Sequence, residues 1–192
     1  MFFEIDKVLI SREEIARRVR ELAGELAHEL AVELRKEGEN LSGEGRVVLV
    51  PIMTGAMIFT ADLIREMPIK LSLGLVAVSS YPGESVSSRG ARLKSELPDN
   101  LAGKHVVIID DILDSGQTLD LAYRAIREQG AASVRVCVLL SKQVERVVDF
   151  KPDYVGFEIP DEFVVGYGLD YNGYYRNYPE IASLKPTAIA DR

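Results

Sequence analysis

The sequence predicts an α/β fold, a parallel β-sheet with helices on both faces, from three observations. Runs of aliphatic residues long enough for single strands recur along the chain, and they lack the polar alternation of a half-exposed strand. Segments with helical spacing of apolar residues separate these runs. The runs 46–52 and 106–109 both end in loops that contain glycine. Strands that alternate with helices form parallel sheets, which bind ligands at the carboxyl ends of their strands.

Length and composition restrict the class of protein. The 192 residues suffice for one domain with its own hydrophobic core. A formal net charge of −7 argues against a nucleic-acid or membrane surface as the main partner. No apolar run approaches the roughly 18 residues of a membrane span, and the first residues lack the basic start of a signal peptide, so we expect a cytoplasmic protein. The single cysteine, Cys137, excludes an internal disulfide and is expected in the core.

A short strand at residues 3–10 and a long amphipathic helix are predicted to begin the chain. Ser11 and Glu14 form a capping box at the start of the helix, which we expect to reach about Lys36. The apolar stripe of this helix requires a partner surface, most simply the sheet of the same domain. The stripe consists of Ile15, Val19, Leu22, Leu26, Leu30 and Leu34.

The predicted strand 46–52 ends in the loop 53–56, and a helix is expected from about 57 to 65. A glycine after a strand usually marks only a turn, so this loop is a weak signal when taken alone. A third apolar strand is predicted for residues 70–79. The stretch 81–104 is rich in Gly, Ser, Pro and charged residues, and a connection of this length is usually a functional lid or disordered.

The segment 105–119 carries the strongest chemical signal. Four β-branched residues at 106–109 predict a strand buried on both faces, with Asp110 and Asp111 at its carboxyl end. A helix follows and is expected to end at Gly130. The next strand is predicted at 133–140, which places Lys142 at the same edge of the sheet, where a lone lysine is ordinarily only a solvated charge.

The turn Asp114-Ser115-Gly116 between that strand and that helix suits a phosphate ester. The first turn of a helix leaves N–H groups unpaired and carries partial positive charge, while Ser115 and Thr118 supply hydroxyls. Carboxylates beside a phosphate would repel it unless a divalent cation or sugar hydroxyls lay between them, which indicates magnesium and a ribose. Taken alone, these three residues favour an ordinary turn with a helix cap.

The whole string from His105 to Leu119 resembles the signature of the type I phosphoribosyltransferases, a buried strand that ends in two acidic residues and continues as Asp-(Ser/Thr)-Gly-x-Thr. The tail 151–178 is similar almost residue for residue to hypoxanthine-guanine phosphoribosyltransferases, and the resemblance extends from about Val47 to Tyr178. It implies the type I phosphoribosyltransferase fold, with a small hood subdomain, as a single domain over 1–192. It further implies a mobile lid at about 81–104 and a hood and base-binding tail at about 151–180.

The same resemblance implies a reaction and its partners. The enzyme would carry out purine salvage by transferring ribose 5-phosphate from phosphoribosyl pyrophosphate (PRPP) to hypoxanthine and guanine, with Mg²⁺ as cofactor. A homodimer or homotetramer is expected, because the family works in those forms. Two other functions remain open: a xanthine- or guanine-preferring relative, and a non-catalytic regulator that senses PRPP and binds nucleic acid. The acidic balance of the chain and the intact Asp114 oppose the regulator.

Roles at the reacting centre follow from the resemblance. Asp114 would be the general base or acid at purine N7. Asp110 and Asp111 would bind the ribose and its magnesium, and Asp170 would hold a second magnesium. The residues that would bind the 5-phosphate are Ser115, Gly116, Gln117 and Thr118.

The resemblance also implies roles for the base and the diphosphate. Lys142 would donate to the oxygen at the purine six position, Phe163 would stack on the ring, and Val164 would bind the base through its backbone. Arg176 would bind the diphosphate, together with the loop at Thr54 and Gly55, whose Met53-Thr54 peptide can be cis in the family. Thr54 departs from the family pattern, which has lysine there. Ser80 and Tyr81 match the start of the family's lid.

Overall fold

A computed structural model of the chain describes residues 2–38, 45–79, 92–93 and 97–189. The helices and strands, in chain order, are β1 (Ile5–Ile10), α1 (Arg12–Lys36), β2 (Val47–Met53), α2 (Met57–Arg65), β3 (Ser72–Leu73), β4 (Val76–Ser79), β5 (Arg92–Leu93), β6 (His105–Leu113), α3 (Gln117–Glu128), β7 (Ser133–Lys142), β8 (Tyr154–Ile159), β9 (Val164–Val165), β10 (Ile181–Leu184) and α4 (Pro186–Ile189). Across those four ranges, no helix is both long and apolar enough to span a membrane.

The main sheet of the described chain has the strand order β5-β4-β2-β6-β7-β8, with β3 also paired to β2. Neighbouring strands run parallel except at β4 and β5. The register aligns Val48 of β2 with Val106 of β6, and Ile108 of β6 with Val136 of β7. These central strands are buried on both faces, as their aliphatic composition predicted. The predicted parallel α/β fold is therefore confirmed.

Helices cover the two faces of this sheet and produce two apolar cores. On one face α1 and α2 pack against inward side chains such as Leu49 and Val107. On the other face α3 packs against the alternate residues, such as Val106 and Val136. Each fully buried aliphatic side chain contributes about 1.5–3 kcal/mol to folding. The sheet is thus held from both sides, and its carboxyl edge is a rigid support for loops.

The first helix agrees with its prediction at both ends. Ser11 N–H donates to Glu14 Oε2 at 2.9 Å, and Glu14 N–H donates to Ser11 Oγ at 3.3 Å, which is the predicted capping box. All six residues of the predicted apolar stripe are buried, and the helix ends at Lys36. Cys137 is also buried, in agreement with its expected place in the core.

A second, three-stranded sheet joins the two ends of the chain in the order β1-β10-β9. Both pairings are antiparallel, and Ile10 lies opposite Ile181. The predicted tail 151–180 is divided between the sheets, because β8 belongs to the main sheet while β9 belongs to the small one. The small sheet also takes β1 and β10 from outside that range.

Two predicted strands differ from those observed by more than two residues. The run 70–79 forms β3 and β4 rather than one strand, because Gly74 N–H bonds to Leu49 O at 2.9 Å and its α-carbon lies close against Pro98. Strand β6 continues to Leu113, since its pairing with β7 extends to Ser141. The acidic pair therefore lies inside the strand and not at its end. Most of the predicted lid, at 81–91 and 94–96, falls outside the described residues.

Candidate active site

A cavity of about 420 Å³ opens where β2 and β6 end and α3 begins. Both strands end at the carboxyl edge of the sheet, where ligands of parallel sheets bind. The residues that line the cavity are Ile52, Met53, Gly55, Val78, Asp110, Asp111, Ile112, Leu113, Asp114, Ser115, Gly116, Thr118, Leu119, Asp170 and Arg176. Most of the acids and turn residues singled out in the sequence thus share one space.

Burial determines the electrostatics of the acidic pair, in which Asp110 is buried and Asp111 is half-buried. Asp110 is only 6% exposed, and its Oδ1 accepts the Asp111 N–H at 3.0 Å. Burial raises the pKa of Asp110 well above its ordinary value, and the neighbouring charge of Asp111 raises it further. Burial also raises the pKa of Asp111, although hydrogen bonds and Arg176 partly oppose the rise. The pair consequently requires positive charge or hydroxyl donors from a ligand.

The donors at this cavity fit a magnesium ion that is shared with a substrate. In the part of the chain that the structure describes, no group of three or more His, Cys, Asp or Glu residues could hold a metal alone. Mg²⁺ characteristically binds through one or two carboxylates and completes its shell with water and substrate phosphates. The paired carboxylates of Asp110 and Asp111 meet that requirement, as does the single carboxylate of Asp170.

The loop after β2 brings backbone directly against the acidic pair. A Cβ atom added at Gly55 would lie 1.9 Å from Asp111 Oδ2, so only glycine fits at this point. The Met53-Thr54 peptide is cis, as the resemblance implied. Met53 and Gly55 line the cavity, whereas the side chain of Thr54 is exposed and does not. The departure from lysine at Thr54 therefore leaves the backbone of the loop in place.

Helix α3 begins with an open N-terminus that faces the cavity. Its N-cap residue, Gly116, has φ +80° and no side-chain cap. A Cβ there would lie 2.6 Å from Val148 O, so both the backbone conformation and the contact require glycine. Ser115 Oγ accepts the Gln117 N–H at 3.5 Å, but Gln117 itself does not line the cavity. The uncapped first turn and its hydroxyls form a site suited to an anion.

Lys142 ends β7 and lies between two carboxylates. Its Nζ is 3.4 Å from Asp114 Oδ2 and 3.2 Å from Asp161 Oδ1, and its side chain is 12% exposed. Arg146 donates to the Lys142 carbonyl at 3.2 Å and so fixes the backbone at this point. The structure thus brings Lys142 to Asp114, which the sequence predicted as neighbours in function. Asp161 was not predicted, because nothing in its spacing distinguishes it from a surface acid.

Two residues predicted to bind the base stand apart from the cavity. Phe163 is 44% exposed, so it is not the core aromatic that composition alone favours. Its ring packs edge-on against Tyr171 with centroids 5.4 Å apart. Val164 is buried in β9, opposite Ser183. The ion pair of Lys142 with Asp161 links this tail to the cavity, while Ser80 and Tyr81 lie outside the described residues.

Asp170 and Arg176 form the remaining wall of the cavity. Arg176 Nη2 lies 2.5 Å from Asp170 Oδ1, and its Nη1 donates to Gly168 O at 2.6 Å. The other oxygen of Asp170 accepts the Gly173 N–H at 2.8 Å, which makes a tight turn. Sequence reasoning named both residues only through the family resemblance. It missed the apolar lining residues, because aliphatic side chains at a cavity and in a core have the same pattern.

Comparison with known proteins gives consistent results. The family described as "Phosphoribosyl transferase domain" matches residues 18–172. The chain is 40% identical to a hypoxanthine-guanine phosphoribosyltransferase of Bacillus subtilis over 186 residues, 97% of each protein. It superposes on a hypoxanthine phosphoribosyltransferase from Staphylococcus aureus with a TM-score of 0.85 at 34% identity, covering 98% and 96% of the two chains. It superposes on a hypoxanthine phosphoribosyltransferase from Trypanosoma cruzi, "in complex with the product IMP", with a TM-score of 0.84 at 33% identity, covering 97% and 98% of the two chains.

Proposed function

Because the chain belongs to the hypoxanthine-guanine phosphoribosyltransferase family, we propose that it transfers ribose 5-phosphate from PRPP to hypoxanthine and guanine in purine salvage. The bond from the anomeric carbon to the diphosphate oxygen breaks, a bond to purine N9 forms, and IMP or GMP and pyrophosphate are released. The observation that carries the proposal is the junction of β6 and α3. There an acidic pair, an uncapped helix and a carboxylate paired with lysine surround one cavity.

The two ends of PRPP have separate binding groups in this proposal. The 5-phosphate lies at the first turn of α3, where Ser115, Gly116, Gln117 and Thr118 offer hydroxyls and N–H groups. The diphosphate lies at the loop of Thr54 and Gly55, with Arg176 as a forked cation. Support comes from the fit of Gly55 against Asp111 and from the place of Arg176 in the same wall.

Asp114 and Lys142 handle the base. Asp114 takes the proton from purine N7 while N9 bonds to the sugar, which a positioned carboxylate can do. Lys142, 3.4 Å from Asp114, donates to the oxygen at the six position. Adenine has a donor at that position, so the two donors would face each other and adenine would be rejected. Phe163 stacks on the purine ring and Val164 binds it through its backbone, since Asp161 connects their segment to Lys142.

We propose Asp110 and Asp111 as the residues that hold one Mg²⁺ and the ribose hydroxyls, with Asp170 for a second ion. Magnesium supplies positive charge beside the departing diphosphate when it is bound. The two carboxylates orient the ribose because they lie on a strand that packs into both cores. Their raised pKa values show that the charged carboxylates are unfavourable without a partner. A cation or a hydroxyl donor would therefore stabilise them.

The proposal also includes the domain organisation, the segment that closes over the site and the oligomeric state. The chain works as one domain, 1–192, with residues at about 81–104 closing over the reacting centre and the segment 151–180 carrying the base. We also propose a homodimer or homotetramer. Sedimentation velocity on the purified protein measures the assembly, and a monomer at micromolar concentration would contradict it.

The test of the function is a panel assay. Hypoxanthine, guanine, xanthine, adenine and uracil are each incubated with PRPP and MgCl₂, and nucleotide formation is followed by absorbance. We expect turnover of hypoxanthine and guanine and none of adenine or uracil. Preferential turnover of xanthine would change the assigned base. Tight PRPP binding without turnover of any base would contradict the enzymatic function and favour a regulator that senses PRPP.

A further inference from the structure

Three consecutive residues before Asp170 have a positive φ. Gly166 and Gly168 have φ +98° and +108°, conformations that glycine adopts readily. Tyr167 between them has φ +49°, which is unfavourable for a residue with a side chain. Such a residue persists in a turn only when its surroundings hold it there. The contacts of Tyr167 therefore determine the path of the chain on both sides of it.

Tyr167 is held at its backbone and at its hydroxyl. Its N–H donates to Tyr178 O at 2.7 Å, and its hydroxyl donates to Asp62 Oδ2 at 2.6 Å. The residue is 7% exposed, and burial together with Asp62 raises the pKa of Tyr167, so the hydroxyl remains a proton donor. Asp62 lies on α2, the helix that follows directly from the loop of Gly55. The hydroxyl thus ties the turn 166–168 to the element that carries that loop.

Gly168 contacts both Arg176 and the loop of Gly55, the two groups proposed to bind the diphosphate. Gly168 N–H donates to Arg176 O at 3.0 Å, and Gly168 O accepts Arg176 Nη1 at 2.6 Å. A Cβ at Gly168 would lie 2.2 Å from Gly55 O, so the backbones of the turn and the loop are in direct contact. The position of Gly168 therefore sets the position of Arg176 relative to Gly55.

We propose that Tyr167, through its hydroxyl bond to Asp62, is a positioning residue for diphosphate binding. This inference rests on the proposed function and deepens it. Helix α2 is already fixed by its buried residues Phe59 and Leu63, so the bond is not needed to place the helix. What the bond fixes is the turn, and with it the distance between Arg176 and the loop of Gly55. Tyr167 itself does not line the cavity.

The test uses two chemically identical substitutions. Tyr167→Phe removes only the hydroxyl that bonds Asp62. Tyr154→Phe is the matched control: Tyr154 is also 7% exposed, and its hydroxyl donates to Glu29 Oε2 at 2.5 Å, on the long helix α1. Both variants lose one hydroxyl–carboxylate bond, so a purely structural role would lower Tm alike and leave the kinetics alike.

We expect Tyr167→Phe to raise the KM for PRPP and the inhibition constant of pyrophosphate by about threefold to tenfold, less than the full loss of a hydrogen bond to a charged group, because the hydroxyl acts on the diphosphate only through the turn 166–168. The KM for hypoxanthine should stay within about twofold, because the hydrogen bonds of Tyr167 run to Tyr178 and Asp62 and not to a residue assigned to the base. Tyr154→Phe should leave all three constants unchanged. Asp62→Asn retains an acceptor oxygen and should resemble the wild type, whereas Asp62→Ala should resemble Tyr167→Phe.

Calorimetric titration with magnesium pyrophosphate provides a readout that does not depend on turnover. Tyr167→Phe should weaken this binding by the same factor as its inhibition constant. Equal changes in the KM for PRPP and for hypoxanthine, or constants that match those of Tyr154→Phe, would reduce the hydroxyl to a fold contact. A wild type that turns over no base would overturn the proposed function instead, and pyrophosphate binding in the two variants would still decide the role of Tyr167.

Discussion

The acids of the cavity differ in their surroundings. Asp110 is buried and Asp111 beside it is half-buried, whereas the side chain of Asp114 is 56% exposed and paired with Lys142. Buried carboxylates of raised pKa hold a cation or hydroxyl groups, while an exposed carboxylate can reach a ligand and exchange a proton with it. In the proposed mechanism, binding and proton transfer therefore belong to different side chains.

Asp114→Asn should lower kcat by roughly 10²- to 10⁴-fold, the usual contribution of a positioned acid or base. The KM for PRPP should change little, because the amide keeps the size and the turn of the carboxylate. Steady-state kinetics with hypoxanthine measure both constants. Asp149→Asn, an exposed acid outside the cavity, is the control and should be silent. Near-normal kcat in Asp114→Asn would remove this residue from the chemistry.

Lys142→Ala should raise the KM for hypoxanthine and guanine by about tenfold or more, because the six-position oxygen loses a charged donor. The KM for PRPP should rise far less. Lys151→Ala changes an exposed lysine of the tail and serves as the comparison. If only the KM for PRPP increased in Lys142→Ala, the lysine would contact a phosphate and not the base.

Single residues also show where sequence reasoning reaches its limit. Asp110, Asp111 and Ser115 follow one another on a strand and its loop, so their convergence is a local property of the chain. Asp161 reaches Lys142 from 19 residues away along the sequence, and only tertiary packing creates that contact. The sequence around Phe163 does not show whether its ring is exposed for stacking or buried in the core, because phenylalanine serves in both places.

At the scale of elements, Gly55 allows the loop between β2 and α2 to pack directly against strand β6. The Asp111 carboxylate occupies the volume where a side chain at position 55 would lie. The loop can therefore approach the acidic pair only because its third residue lacks a Cβ. Thr54 is exposed and does not share that constraint.

Gly55→Ala should raise the KM for PRPP and the pyrophosphate inhibition constant by more than about tenfold, because its methyl group displaces the Asp111 carboxylate. Thr54→Ala should be mild. Gly24→Ala is the matched control, since a Cβ on this helical glycine meets nothing within 4 Å. That control should keep its kinetics and gain about 0.5–1 kcal/mol of stability. Equal, small effects of Gly55→Ala and Thr54→Ala would show that this loop does not bind the diphosphate.

Elements that are determined by their own residues were predicted well, whereas elements that depend on distant contacts were not. Helix α1 is specified by its own capping box and stripe, and it agreed at both ends. The break between β3 and β4 was missed because it depends on a contact of Gly74 with Pro98, 24 residues later. The extension of β6 to Leu113 was missed because pairing with β7 maintains it.

At the scale of the whole molecule, the acidic pair opposes the stability that the two cores provide. The pKa of Asp110 is raised in the folded chain, so the folded state holds its proton more tightly than the unfolded state does. The resulting contribution favours folding below the ordinary aspartate pKa and is lost as pH rises through the raised value. At neutral pH the ligand-free protein therefore folds with an unfavourable charge pair.

Asp110→Asn should accordingly raise the Tm of the ligand-free protein at pH 7, by roughly 2–4 °C for each kcal/mol gained. The gain should disappear at about pH 4, where the wild-type carboxyl is protonated. Activity should fall, because the site loses a ligand of the cation and ribose. Differential scanning calorimetry at both pH values measures the effect. A lower Tm for Asp110→Asn at pH 7 would show that the charge pair is already balanced in the fold.

The small sheet pairs β1, near the start of the chain, with β10, close to its end, and β10 in turn holds β9 with Val164. During synthesis β1 cannot pair with β10 until residue 184 has left the ribosome. The large sheet can form earlier from 47–159, so a nascent chain completes the turn 114–116 and helix α3 before it completes the strand that carries Val164. A chain released before residue 181 would retain the acidic pair and the open helix end but lack the strand against which β9 is ordered.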